Sequence, residues 1–408
     1  MKEFLLPGPK IKRWIAVFGI GLIGIITAAL LLLSEAAVRL QLPHVTRIAL
    51  GSVLAACSIL LMVVSIQRCF DRIIAIFMPE KKGRLLDILS KQHLQKGPKI
   101  VCIGGGTGTY TALMGLKKYT SNLTAIVSMA DSGGSAGRLR DEFGILPPGD
   151  VRRCLIALSE ESTLLKELFQ YRFEKGTLEG HSFGNLFLTA LRNTTGSDDK
   201  AIIEASKILA IRGKVLPVTL SNSHLHAVLE NGKVIKGETN IDIPKHDANL
   251  KIKKVYLHPE SVAYTKAVQA IKEADLVIIG PGDLYTSVIP NLLVKGIREA
   301  LKKTAAKKVY VCNLMTKHGE TTGFTASMYL REIQKYADCI MDNVVLNSKV
   351  PKKSLLDQYR KEHSFLVQND LDEIEKLQAK PVLANLLKEP ILVRHDPDKL
   401  ASVIMGLV

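Results

Sequence analysis

The glycine-rich stretch Gly104–Gly108 of this 408-residue chain lacks two widespread nucleotide-binding signatures. The P-loop pattern G-x-x-x-x-G-K-[ST] occurs nowhere, which argues against a P-loop NTPase. The dinucleotide pattern G-x-G-x-x-G also fails in the glycine-rich stretch that follows an apolar run. Thr109 or Thr111, depending on the register, stands where the last glycine is required. If the glycines of this stretch bind a phosphate, they do so in a sequence that matches neither of the two patterns.

Cysteine is absent from the arrangements that bind metals. None of the six cysteines forms a C-x-x-C pair, and most of them lie in apolar runs. This placement is typical of buried free thiols in a reducing compartment rather than of metal ligands. The six residues are Cys57, Cys69, Cys102, Cys154, Cys312 and Cys339.

Acidic residues are in the minority, and the net charge is +16. Residues 1–98 hold 13 Lys and Arg against 5 Asp and Glu, so half of the excess lies in a quarter of the chain. This region lacks the aromatic or base-reading elements of a nucleic-acid-binding arm, and we expect no nucleic-acid partner. Its charge favours the anionic head groups of a lipid bilayer instead.

Two long apolar runs dominate the N-terminal region. Trp14–Leu33 carries no charge, Ile48–Ile66 is similar, and a bilayer crossing needs about 20 apolar residues. A cleaved signal peptide has a shorter apolar core and no second run, and buried core helices usually show a polar face. We therefore predict a two-helix transmembrane hairpin over residues 1–66 and a basic juxtamembrane linker over 67–98.

The basic residues that flank these runs predict their orientation. The positive-inside rule places both termini and the following soluble domain in the cytoplasm, as in a multi-pass inner-membrane protein. Only Arg39 and Arg47 lie between the runs, whereas Lys2, Lys10, Lys12 and Arg13 precede them and Arg68, Arg72, Lys81, Lys82 and Arg84 follow.

From Lys99 onward, short apolar strands alternate with helical patterns. This alternation predicts an α/β domain over residues 99–408, with a mostly parallel, doubly wound sheet. One interruption is expected. Asn231-Gly232 between two short strands is a strong hairpin signal, so we interpret residues 222–256 as a small β-hairpin excursion.

The stretch Lys99–Asp150 carries the first two candidate ligand loops. A strand over Ile100–Ile103 runs into the glycines, and a helical pattern starts near Tyr110. This arrangement presents backbone N–H groups to an anion at a helix N-terminus. A second strand, Leu123–Met129, precedes the small-residue loop 130–138. Because the carboxyl ends of parallel strands share one edge of a sheet, both loops are expected to face one ligand.

Two later segments add candidates. A helix begins after Ser182, where Asn185 can bond a phosphate or a sugar hydroxyl, and a buried strand delivers residues 280–287 to the same edge. In this last loop Tyr285 can stack on a base, bond a hydroxyl or pack against the loop. The candidate ligand-binding residues are Gly104, Gly105, Gly106, Thr107, Gly108, Thr109, Asp131, Ser132, Gly133, Gly134, Ser135, Arg138, Gly184, Asn185, Gly280, Gly282, Asp283, Tyr285, Thr286 and Asn313.

Two other features receive structural interpretations. Asp150 follows Pro147-Pro148-Gly149, and we predict that it is a helix N-cap. His224 and His226 share one strand face at a spacing that suits a metal, but no third ligand is in sight. We expect no metal at these histidines.

Five extended motifs, in order from about Lys99 to the C-terminus, resemble the YvcK branch of the CofD-like family, whose members are labelled gluconeogenesis factors. The resemblance implies a Rossmann-like core and binding of a nucleotide sugar such as UDP-N-acetylglucosamine. It also implies a role in cell shape and envelope precursor supply on gluconeogenic carbon sources. The motifs are GGGTGTYTAL, ADSGGSAGRLRDEFGILPPGDVRRCL, GNLFLTAL, GPGDLYTSVIPNLLV and NLMTKHGETTGFTAS.

Three functions stay open. The resemblance favours a membrane-anchored regulator that senses a nucleotide sugar without turnover. Relatives in the CofD branch transfer a phospholactyl group onto a deazaflavin with a divalent metal, which makes a Mg²⁺-dependent transferase the alternative. Family members commonly carry paired aspartates where this chain has Asp131-Ser132, so the metal site would rest on Asp131, with help from Asp141 or Asp150. A scaffold without ligand is the third possibility.

These hypotheses imply the partners that we expect. They are a UDP-sugar or related nucleotide, the lipid bilayer, proteins of envelope synthesis and further copies of this chain. No cofactor other than Mg²⁺ is expected.

Overall fold

The computed structural model describes residues 9–33, 43–77, 94–388 and 392–408. The chain divides into two compact units, residues 1–90 and 91–408, and each is described by itself. Residues 34–42, which form most of the predicted link between the apolar runs, and residues 78–93 of the predicted linker over 67–98 lie outside the described residues. The predicted domain boundaries stay predictions.

The N-terminal unit consists of two paired helices, α1 (Pro9–Leu33) and α2 (His44–Phe77). Within them Lys12–Leu33 and Val45–Asp71 are long and apolar enough to cross a membrane, and only 11% and 17% of their most apolar windows are buried. The prediction of two long apolar helices is confirmed. The second helix continues without a break to Phe77, so the first part of the predicted linker is helical.

Small residues let these two helices approach closely. A Cβ atom added at Gly21 would lie 2.7 Å from the Cγ of Met62, and one at Gly51 would lie 2.7 Å from the Cγ of Leu32. Close backbone contact at glycine is the usual way in which apolar helices associate when no hydrophobic effect drives them together.

The second unit is built on a seven-stranded parallel sheet with the order β10-β9-β8-β7-β1-β2-β3. The central strands are fully buried apolar runs, as expected for a sheet covered on both faces. The prediction of a mostly parallel α/β sheet is confirmed. The strands are β1 (Ile100–Gly104), β2 (Leu123–Val127), β3 (Lys214–Pro217), β7 (Leu276–Ile279), β8 (Lys307–Val311), β9 (Asn343–Asn347) and β10 (Lys380–Ala384).

Helices connect these strands. A π-helical turn over Leu284–Val288 follows β7. The helices are α3 (Gly106–Leu116), α4 (Gly134–Phe143), α5 (Gly149–Leu158), α6 (Thr163–Gln170), α7 (Phe183–Thr195), α8 (Asp198–Ile208), α9 (Glu238–Asp242), α10 (Thr265–Lys272), α11 (Ile289–Leu292), α12 (Ile297–Lys303), α13 (Ala326–Ala337), α14 (Lys353–Lys361), α15 (Leu371–Lys376) and α16 (Pro397–Met405).

The strand order reverses beside β1. The chain moves from β1 outward to β2 and β3, and then returns to place β7 on the other side of β1. From β7 it moves outward again through β8, β9 and β10. Loops that leave β1 and β7 therefore diverge at the carboxyl edge of the sheet, which leaves room between them for a ligand.

A small antiparallel sheet with the order β5-β4-β6 interrupts this pattern. Its strands are β4 (His224–Leu229), β5 (Val234–Lys236) and β6 (Ile252–His258). Asn231-Gly232 makes the β4–β5 turn, so the predicted hairpin is confirmed, and β6 adds a third strand. A separate two-stranded ribbon pairs β11 (Leu387–Lys388) with β12 (Arg394–His395).

Candidate functional site

A cleft of about 530 Å³ opens at the carboxyl edge of the large sheet. Residues that follow β1, β2 and β7 line it, so it lies at the reversal of strand order. Three predicted ligand loops therefore meet in one place. The predicted residues that line the cleft are Gly105, Gly106, Thr107, Gly108, Asp131, Gly133, Gly134, Ser135, Asn185, Gly282, Asp283 and Thr286.

Four helices begin at this cleft. The first turns of α3, α4, α5 and α7 all contribute lining residues. Each helix N-terminus carries unpaired N–H groups and a partial charge of about +0.5. The cleft is therefore built to attract an anion.

Glycine is required at two points of the first loop. Gly106 has a φ of +66°, a conformation that side chains disfavour. A Cβ atom on Gly108 would lie 2.5 Å from the carbonyl carbon of Pro281, so this glycine lets the β1 and β7 loops touch. The N–H of Gly106 donates to the carboxylate of Asp150.

Eight predicted residues lie outside the cleft lining. Several of them hold the lining in place. The amide of Asn313 donates to the Gly282 carbonyl over 2.9 Å, and the hydroxyl of Thr109 donates to the Gly105 carbonyl over 3.2 Å. The eight residues are Gly104, Thr109, Ser132, Arg138, Gly184, Gly280, Tyr285 and Asn313.

Two of these placements correct the sequence analysis. Tyr285 is 2% exposed, and its hydroxyl donates to Glu332 over 3.2 Å, so its ring packs in the core and does not stack on a ligand. Arg138 donates to the Glu179 carbonyl over 2.8 Å, which directs its guanidinium away from the cleft. Gly184 packs against the Phe169 carbonyl, where a Cβ atom would lie only 2.6 Å away.

Five carboxyl groups line the cleft, and only Asp131 and Asp283 were predicted members. Asp150 is not an N-cap, because Pro148 precedes the first residue of α5 and the Asp150 side chain turns toward the glycine loop. Burial and the nearby Asp131 raise the pKa of Asp150 to about 6. The same two causes raise the pKa of Glu238 to about 7. Burial also raises the pKa of Asp131.

Three arginines, Arg152, Arg153 and Arg172, line the same cleft. Burial, together with the other two arginines, lowers the pKa of Arg152 to about 10. Within the described part of the chain, Arg152 Nε and Asn185 Oδ1 are buried without a hydrogen-bond partner. An unpaired buried polar atom costs about 1–3 kcal/mol, so a ligand that bonds these atoms gains affinity.

A second charged cluster borders the cleft. Lys317 Nζ contacts Asp242 Oδ1, lies 2.8 Å from Asp283 Oδ2 and lies 3.3 Å from Glu320 Oε1. Burial lowers the pKa of Lys317, but the three carboxylates outweigh it and raise that pKa above its usual range. The carboxylate oxygens lie within 4.8 Å of one another, and the ammonium group is the cation they share.

For some of the cleft residues that were not predicted, the sequence contains a pattern that could have identified them. Arg152 and Arg153 come two and three residues after Asp150, and a helix that starts at the carboxyl edge points its first turn at the ligand. No sequence signal pointed to Glu238 and Asp242. They belong to α9, about 100 residues beyond the β2 loop with which they line the cleft. Only the fold brings them to the cleft.

Comparison with known proteins identifies the family to which the chain belongs. The family model of the 2-phospho-L-lactate transferase CofD matches residues 100–387, and the chain belongs to this CofD-like family. Within it the chain is 44% identical over 426 residues to a protein of Nostoc sp. strain PCC 7120 that is provisionally named a gluconeogenesis factor. That match covers 99% of this chain and 91% of the relative.

Shorter relatives correspond to part of the chain. The gluconeogenesis factor of Bacillus subtilis strain 168 is 43% identical, over 76% of this chain and 98% of its own length. The crystal structure of a UPF0052 family member from Bacillus halodurans superposes with a TM-score of 0.73 at 42% identity. It covers 76% of this chain and 99% of that protein. About a quarter of this chain thus has no counterpart in the Bacillus proteins.

The buried carboxyl groups predict a pH-dependent stability. The folded-state pKa of Asp150 lies above its unfolded value, so its contribution is present at low pH and is lost as pH rises through about 6. Asp150→Asn should raise the free energy of unfolding of the ligand-free protein at pH 8 by roughly 3 kcal/mol, from two pKa units. At pH 5 the gain should fall to about half of that value, because the unfolded carboxyl is already ionised there while the folded one is mostly protonated. Urea unfolding in detergent at both pH values measures this.

Asp141→Asn is the control, because Asp141 is exposed and lies outside the cleft lining. It should change stability by less than about 0.5 kcal/mol at either pH. An Asp150→Asn variant that is less stable than the wild type at pH 8 would contradict the assignment of a strained, ionised carboxylate.

Lys317 should matter more for stability than an ordinary surface lysine. Lys317→Met removes the cation that three carboxylates share, and we expect a loss of about 3 kcal/mol. Lys335→Met is the matched control, since Lys335 pairs with Glu332 over 3.0 Å at a half-exposed position. Its loss should stay below about 1 kcal/mol. Equal losses of stability in the two variants would show that the shared lysine contributes no more than an ordinary surface ion pair.

Proposed function

We propose that the α/β unit binds a nucleotide sugar, with UDP-N-acetylglucosamine as the expected example, and holds its diphosphate in the cleft. The observation that carries this proposal is the meeting of four helix N-termini and three arginines in one concave site. Helix N-termini bind phosphates through backbone N–H groups and their dipole. A volume of about 530 Å³ lies in the range of small-molecule sites.

We further propose that the ligand is sensed rather than consumed, in a regulator of carbon metabolism and of cell-envelope and cell-shape maintenance. The relatives named gluconeogenesis factors support the link to carbon metabolism. Ser132 supports the absence of turnover, because it stands where a second aspartate is common. Its hydroxyl lies 3.1 Å from Thr239 Oγ1 and accepts the Thr239 N–H over 3.1 Å, which is a structural role.

A Mg²⁺-dependent transferase is the second candidate, and one observation favours it. Burial and the charge of Asp131 raise the pKa values of Asp150 and Glu238 in the cleft, and such crowded carboxylates suit a divalent cation. Asp131 and Asp150 would hold the ion, which would neutralise charge on a transferring phosphate group. The arginines would orient the phosphates.

For the N-terminal unit we propose a membrane anchor. Its two helices are apolar on nearly all sides, and large apolar side chains such as Ile20, Ile23 and Ile26 are more than half exposed. The excess of basic residues outside the apolar runs supports cytoplasmic termini. In this arrangement the α/β unit works at the inner face of the membrane, beside proteins of envelope synthesis and other copies of the chain.

Calorimetry on the full chain in detergent separates the functions. UDP-N-acetylglucosamine and a dinucleotide are titrated with and without Mg²⁺, and the mixtures are analysed for products. Saturable binding of the sugar nucleotide without turnover supports the regulator. Product formation supports the transferase instead. Absence of heat with either ligand overturns both and leaves the scaffold.

Gly106→Val tests the site itself. Valine at a φ of +66° is strained by about 1–2 kcal/mol, and its side chain extends toward Ser287 and Arg153 in the cleft. We expect a folded protein with no measurable nucleotide binding. Gly144→Val is the matched control, because Gly144 has a φ of +63° with open space around it at the far end of α4. Equal affinities in the two variants would refute the loop assignment.

Fractionation of cells that produce the full chain tests the anchor. The protein should stay in the membrane pellet after an alkaline carbonate wash. Replacing Ile20, Ile23 and Ile26 together by lysine should release it, since each lysine costs about 2.5–3.5 kcal/mol at the centre of a membrane helix. The same three positions changed to leucine should behave like the wild type. A lysine variant that stays in the pellet would contradict the anchor.

A further inference from the structure

The small antiparallel sheet carries an unusual concentration of histidine. His224 and His226 lie on β4, and His258 is the last residue of β6. Three of the ten histidines of the chain therefore belong to one three-stranded sheet. No local pattern marks a third ligand for His224 and His226, because His258 is more than thirty residues away along the chain.

The strand register places all three rings on one face. His224 lies directly opposite His258, and His226 lies directly opposite Tyr256. Side chains alternate between the two faces of a strand, so the residues between them, Leu225 and Leu257, point to the other face and are buried. The histidine face is the outer one, where His224 and His258 are exposed and His226 is half-buried.

The rings lie within reach of one another. The ring centroids of His226 and His258 are 5.7 Å apart, and their planes are inclined by 30°. Directly opposed residues of an antiparallel pair have Cβ atoms about 5 Å apart, which applies to His224 and His258. Successive positions on one face of a strand are about 6.7 Å apart, which applies to His224 and His226.

One ring already has a partner that leaves a nitrogen available. His226 Nδ1 lies 3.2 Å from the hydroxyl of Tyr256. When the imidazole donates this hydrogen bond, Nε2 carries the lone pair and can bind a metal. Metal-binding histidines usually donate their other N–H to such a partner, which fixes the tautomer and the ring orientation.

Burial and nearby positive charges favour neutral imidazole at His224 and His226. Burial, followed by Arg140, lowers the pKa of His224, with a smaller opposing effect of Asp141. Burial, followed by His258 and Lys236, lowers the pKa of His226. Neutral imidazole is the form that binds metal ions. Lys236, which lies opposite His226 on β5, is the one positive side chain paired across from the three rings.

We propose that His224, His226 and His258 form a surface site for one transition-metal ion of borderline softness, such as Zn²⁺, Ni²⁺ or Cu²⁺. Three imidazoles with an open fourth position form the donor set of three-histidine zinc sites, and imidazole suits these ions better than Mg²⁺ or Ca²⁺. Binding requires the rings to turn about χ1 and χ2, since the three nitrogens are not all within 4.8 Å of one another as the side chains lie. This site is separate from the cleft and does not rest on the proposed function.

Zinc titration of the full chain in detergent, followed by calorimetry, tests the site. We expect one ion per chain, and we expect Co²⁺ in its place to show the strong visible absorption of a tetrahedral nitrogen-bound ion. The triple variant His224→Gln, His226→Gln, His258→Gln should lose both signals. His363→Gln is the matched control, because His363 is an exposed histidine outside the small sheet, and it should bind zinc like the wild type.

Tyr256→Phe gives a graded test that keeps all three rings. Loss of the hydroxyl that orients His226 should weaken zinc binding by about 10–100-fold, the effect typical of a partner of a metal ligand. This variant also decides the matter if the triple variant fails to fold. The proposal is overturned by absence of zinc binding in the wild type, by unchanged binding in the triple variant, or by unchanged affinity in Tyr256→Phe.

Discussion

The reversal of strand order between β1 and β7 is the constraint on which the cleft depends. Connections that leave neighbouring strands in opposite directions must separate at the carboxyl edge, and helices that start there point their N-termini into the gap. The gap stays narrow because Gly108 allows the β1 loop to touch the Pro281 carbonyl. A side chain at this one position would push the two halves of the sheet edge apart.

The electrostatics of the cleft is a balance of two opposed sets of charges. Helix N-termini and arginines attract an anion, whereas Asp131, Asp150 and Glu238 repel it. Burial and the charge of Asp131 raise the pKa values of Asp150 and Glu238. A site of this kind gains most from a ligand that brings negative charge to the arginines and a cation or proton to the carboxylates. A diphosphate with a divalent ion satisfies both sets at once, which joins the two proposed functions in one chemistry.

The sequence alone was sufficient for the parts of the site that are local. Three groups of lining residues come shortly after apolar strands, so their position at the carboxyl edge of the sheet could be predicted. They are Gly105 to Gly108, Gly133 to Ser135 and Gly282 to Asp283. Tyr285 was misjudged because loop residues can face either a ligand or the core, and only packing decides. Glu238 and the third histidine, His258, could not be placed, because no local pattern records which distant strands pair.

The small sheet links the two sites that this structure presents. Its β5 strand ends at Lys236, and after Gly237, with a φ of +87°, helix α9 begins at Glu238 in the wall of the cleft. The histidine face lies on β4 and β6 of the same sheet. A ligand that orders α9 and an ion that joins β4 to β6 would therefore act on one continuous element. Any effect of the ion on nucleotide affinity must then be matched by an equal effect of the nucleotide on ion affinity, because coupling between two binding sites is reciprocal.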